Sequence, residues 1–110
     1  MTQPSNYATW IAEVEKEILR AVEKFPTWPD DPIHAAALVA EESGELQKAT
    51  LEHVYEPHKS ELSDVRREAI HTAATAIRFL SSLHRYDFRR CNQHEQVNDV
   101  TSNLGTNAAG

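Results

Sequence analysis

Glu41, Glu42 and Glu45 stand together in the segment Glu41-Glu42-Ser43-Gly44-Glu45, with the apolar run 35–40 before it and Leu46 after it. On a helix these carboxylates sit three and four residues apart and crowd adjoining positions. Like charges at that spacing cost roughly a few tenths of a kcal/mol per pair unless something compensates. Lys48 is the only cation in the next turn, and Gly44 costs the helix roughly another 0.5–1 kcal/mol relative to alanine. A helix that tolerates both penalties can be leaving room for a ligand against its backbone. A second group, Glu61, Asp64, Glu68 and His71, falls close to one face of a later helix. If the two helices pack antiparallel, the acidic patches face each other. Oxygen donors converging in a half-buried space suit Mg²⁺, a hard cation that retains several waters to meet a phosphate. Without a cation, such carboxylates would raise their own pKa values and lose charge. The ordinary alternative is a solvated acidic face. Both groups adjoin the most apolar stretches of their helices, which favours a metal.

Three helices must position these groups. In the first, Tyr7, Ile11, Val14, Ile18, Ala21 or Val22, and Phe25 recur at helical spacing, with Glu13, Lys16, Glu17 and Arg20 on the other face. Ser5 or Asn6 can cap it. Pro26 and Pro29 then make residues 25–30 a stiff aromatic loop. Asp31-Pro32 opens a second helix that runs to Val54 or Tyr55, before Pro57. The third begins near Ser60 or Ser63 and reaches about Tyr86. Between residues 69 and 83 it is apolar or small nearly all round, so two partner helices from one chain would hardly cover it. The expected fold is all-α, a helical bundle completed by oligomerisation, with residues 1–90 as the domain and 91–110 as a polar, disordered tail.

Composition narrows the field further. In 110 residues there are 17 acids against 11 Lys and Arg, a net charge of −6, which argues against nucleic acid or an anionic membrane as partner. No apolar run approaches a membrane span, and the first residues do not read as a secretory signal. The expected location is therefore cytoplasmic. With three glycines, two of them in the last six residues, no Gly-rich phosphate loop can be built. Cys91 is the only cysteine, so an internal disulfide and a multi-thiolate zinc site are excluded.

Glu41-Glu42-Ser43-Gly44-Glu45, followed by Glu68-Ala69-Ile70-His71, resembles the EExxE…ExxD signature of the MazG-like all-α nucleoside triphosphate pyrophosphohydrolases, relatives of the dimeric dUTPases. The likeness covers roughly residues 7–86. It implies metal-dependent cleavage of an NTP or dNTP between its α and β phosphates, releasing a monophosphate and pyrophosphate. It also implies a homodimer or homotetramer built around a four-helix bundle. Carried over by position, Glu42, Glu45 and Glu68 are metal ligands, and Glu41 is an accessory acid for a second metal or the attacking water. Lys48 and Arg67 are candidate phosphate partners by their proximity to the acids.

One position departs from the signature: His71 stands where it has Asp. Imidazole suits Mn²⁺, Co²⁺ or Zn²⁺ better than Mg²⁺. His71 can therefore bind a softer metal, contact the nucleotide or serve as a buried hydrogen-bonded residue, and Asp64 can supply the missing carboxylate. For base recognition, Phe25 and Trp28 are candidate stacking partners and Asp30 and His34 polar ones, although both aromatics can equally cap the core. The leading expectation is a Mg²⁺- or Mn²⁺-dependent pyrophosphohydrolase that clears unwanted nucleotides. The alternatives are a catalytically impaired nucleotide- or metal-binding regulator and an acidic helical interaction protein.

Overall fold

The computed structural model describes residues 4–88; the tail expected over 91–110, with Cys91, lies outside the described residues. Among them the secondary structure is entirely helical: α1 (Pro4–Lys24), α2 (Pro32–Tyr55), α3 (Leu62–Ser81) and a single 3-10 turn, Leu83–Arg85. α3 lies in the middle, with α1 and α2 both packed on it.

Local chemistry sets most of the boundaries. α1 is already helical at Pro4, the first described residue, so the expected Ser5 or Asn6 cap lies within the helix. α2 starts as its sequence dictates: the Asp31 carboxylate accepts from the Ile33 N–H at 2.9 Å, and Pro32 follows at the first helical position. The loop after α2 folds back on it. Ser60, 3 % exposed, donates its hydroxyl to the Ala49 carbonyl at 2.9 Å, and its own carbonyl lies 2.8 Å from His53 Nδ1. This holds Ser60 outside α3, which begins at Leu62, and Asp64 caps the helix by accepting from the Glu61 N–H at 2.8 Å.

The far end of α3 differs from expectation. The helix stops at Ser81 rather than continuing to Tyr86, and the chain tightens into the 3-10 turn. A distant contact explains the stop. Tyr86, only 7 % exposed, packs on Phe79 with ring centroids 5.7 Å apart and accepts from Trp28 Nε1–H at 2.6 Å. A straight helix would carry Tyr86 past both partners. Arg85 adds a 2.8 Å ion pair to Asp30, and Arg78 donates to the Phe25 carbonyl at 3.0 Å while stacking 4.7 Å from the Trp28 ring. The end of the domain therefore clasps the 25–31 loop.

The core is thin. Its buried residues are mostly small (Ala35, Ala49, Ala74), and among the described residues no large side chain is fully buried. The α1 stripe read as a buried face is largely open, with Tyr7 72 % and Ile11 68 % exposed, because α1 packs chiefly on α3. The apolar surplus expected on α3 extends to all three helices.

Candidate metal centre

α2 and α3 bring Glu42, Glu68 and His71 together. One oxygen from each carboxylate and one imidazole nitrogen all lie within 4.8 Å of one another, and all three residues are half-buried. The two helices are tied at this level by Thr72. Its Oγ1 is 2.8 Å from the Glu68 carbonyl and 3.0 Å from that of Glu42, one proton serving either acceptor. Glu68 and His71, three residues apart, project from one face of α3.

His71 sits between two carboxylates. Its Nδ1 is 3.8 Å from Glu68 Oε1, and its Nε2 is 3.5 Å from Glu17 Oε2, contributed by α1. Glu17 is itself held by Arg20, whose Nε and Nη2 donate to its two oxygens at 2.8 and 2.6 Å. That fork lowers the Glu17 pKa against the opposing effect of burial, with the His71 charge assisting. Glu42 goes the other way. Burial raises its pKa, and Glu68, Glu41 and Glu45 push in the same direction while His71 opposes them. An acid so placed is under electrostatic strain that a cation would relieve.

Glu41, Glu42 and His71 line a cleft of about 570 Å³ whose other walls include Arg20, Phe25, Trp28, His34 and Arg78. This size lies within the range of small-molecule sites. Trp28 and His34, expected at a base site, are thus on the same cleft as the acids. Burial lowers the pKa of Arg78, but a guanidinium remains charged at neutral pH.

The remaining candidates adjoin the cluster on the other side of Glu68. Glu45, Lys48, Asp64 and Arg67 line a smaller polar notch of about 190 Å³, which Glu68 borders. Glu45 and Asp64 are not in the three-residue cluster. Asp64 is turned to the Glu61 N–H and to Arg67 at 2.9 Å, and both contacts depress its pKa. Arg67 also lies 3.7 Å from Glu68. The Asp64 carboxylate is therefore engaged in the helix cap and the Arg67 pair.

Sequence reasoning missed Glu17, Arg20 and Arg78 as members of the site. The first two read as ordinary i,i+3 partners on a solvated face, and only the seating of α1 on α3 turns Glu17 toward His71. The one available signal was that Glu17 adjoins Ile18 and Ala21, at the edge of the apolar stripe.

No family model, curated protein or solved structure matches this chain.

Proposed function

We propose that this chain is a metal-dependent nucleoside triphosphate pyrophosphohydrolase, acting as a homo-oligomer: an NTP or dNTP plus water gives the monophosphate plus pyrophosphate. The observation that carries the reading is the convergence of Glu42, Glu68 and His71 beside a cleft with an aromatic wall.

The donor set fits a divalent cation. Glu42, Glu68 and His71, with ligand atoms within 4.8 Å of one another, would hold such a cation after side-chain adjustment. Two carboxylates with one imidazole favour Mn²⁺ over Mg²⁺. The chemistry a cation supplies there is neutralisation of the triphosphate and a more acidic bound water. The chain's own residues do the rest. Glu41, on the cleft wall next to Glu42, is placed to orient the attacking water, and Arg20 and Arg78 offer fixed positive charge to the phosphates. Trp28 and Phe25 present ring surface to a base, with His34 as a polar contact.

A turnover screen tests this: each common NTP and dNTP, with Mg²⁺ or Mn²⁺, products resolved by chromatography. Monophosphate plus pyrophosphate, lost in Glu42→Gln, is the expected result. Diphosphate plus orthophosphate would mean that another bond is cut. Binding without turnover would favour the second reading, a nucleotide- or metal-binding regulator, for which the observation is His71 in place of a carboxylate.

A further inference from the structure

The outward face of α2 is bare and patterned. Ile33, Ala37, Ala40, Gly44, Leu51 and Val54, with Gln47 the one polar member, recur alternately four and three residues apart along the whole helix. That is the spacing of a seam between two helices. Every member is exposed, Ile33 at 74 %, Leu51 at 52 % and Val54 at 60 %. The opposite face, with Ala35, Leu38, Leu46 and Ala49, is the one turned toward α3. A β-carbon added at Gly44 would meet nothing within 4 Å.

We propose that a second copy of this chain docks on this face with its α2 antiparallel, placing the partner's Lys48 beside Glu41 at the rim of the cleft. Size and charge together choose this occupant. The seam is small at its centre (Ala40, Gly44) and large at both ends, so a reversed copy sets the end of one helix against the start of the other and lets the backbones approach at the middle. Glu41 and Lys48 occupy equivalent flanking positions seven residues apart. In an antiparallel pair, flanking positions of this kind face their own type. The register that pairs Glu41 with the partner's Lys48 does so twice, and its midpoint falls between Gly44 and Glu45. The other flank, Ala36, Ser43 and Thr50, is neutral and small. A parallel pair would forgo both charge pairs.

This changes the part Lys48 plays. Within its own chain it lines the polar notch, away from the cleft walls, whereas Glu41 lines the cleft. Across the dimer it supplies the cleft with a cation in trans. The dimer stands independently of the catalytic reading; the phosphate role of Lys48 rests on it.

Cross-linking tests the arrangement. In a Cys91→Ser background, Glu41→Cys and Lys48→Cys variants are mixed and treated with a short bis-maleimide. Dimers linked between the two variants, with little linking of either variant alone, are expected. Glu41→Cys linking to itself would mean a parallel or shifted pair, and a monomer by sedimentation would overturn the proposal. As a control on the substitutions themselves, Glu41→Lys and Lys48→Glu should each weaken the dimer about tenfold or more, and the double reversal should restore it to within a few-fold of wild type.

Subunit mixing tests the trans role. Lys48→Ala and Glu42→Gln, each inactive alone, should regain up to about a quarter of wild-type turnover when re-associated, because one site in each mixed dimer is then complete. No recovery would place Lys48 in cis. Absence of turnover in the wild type would sink the catalytic reading and this role of Lys48 with it, leaving the dimer to be judged by cross-linking and sedimentation.

Discussion

His71 has a carboxylate on either side, 3.5 Å from Nε2 and 3.8 Å from Nδ1. With a cation held at Nδ1 beside Glu68, Nε2–H would point at the Glu17 carboxylate. This makes Glu17 an orienting partner of a proposed ligand, a role whose loss typically costs 10–100-fold in metal affinity. We therefore expect Glu17→Gln to weaken Mn²⁺ binding by about tenfold or more in calorimetry, and Glu68→Gln to weaken it further. Glu42 adds a pH signature. Its folded pKa lies above the ordinary 4.5, so the folded protein holds a proton that the unfolded chain has released, and stability falls as pH rises through that window. In chelator at neutral pH, Glu42→Gln should be the more stable protein by denaturant titration, with the difference vanishing below the ordinary carboxylate range. Added Mn²⁺ should reverse the order by stabilising only the wild type appreciably.

At the scale of the element, the legible boundaries were those set within a few residues. Asp31-Pro32 fixes the start of α2 through one side chain and one backbone N–H, so the sequence sufficed. The end of α3 depends on Tyr86 reaching Trp28, 58 residues away, and no periodicity encodes that. Glu17 escaped for a related reason: helical spacing defines the faces of α1, but not which face is seated on α3. The acidic cluster was legible because Glu42, Glu68 and His71 come from two helices joined by a short connection. Glu45, read as a ligand, and Asp64, read as a source of the carboxylate missing at position 71, line the adjoining notch. The clasp around the 25–31 loop has a testable cost. Tyr86→Phe removes the acceptor of a part-buried indole N–H, which should cost about 1–2 kcal/mol and lower the thermal midpoint by several degrees.

For the whole molecule, the thin core is the governing fact. A domain whose buried residues are mostly small has little apolar burial to set against chain entropy, while Tyr7, Ile11, Ile33 and Val54 remain more than half exposed. If copies associate through this surface as proposed, folding depends on protein concentration and the thermal midpoint should climb as the protein is concentrated. Gly44→Ala gives a sharper version of this test. At dilutions that hold the chain monomeric it should stabilise α2 by roughly 0.5–1 kcal/mol, since nothing crowds the new methyl. That gain should shrink or reverse where the dimer forms. Trp28, finally, gives the molecule an optical gauge. Its indole lies under the Arg78 guanidinium and is bonded to Tyr86, while the other tryptophan, Trp10 of α1, lies under Arg66 of α3. In a Trp10→Phe variant the remaining emission comes from the cleft wall alone, so filling of the cleft and release of the clasp can both be followed by light without any added label.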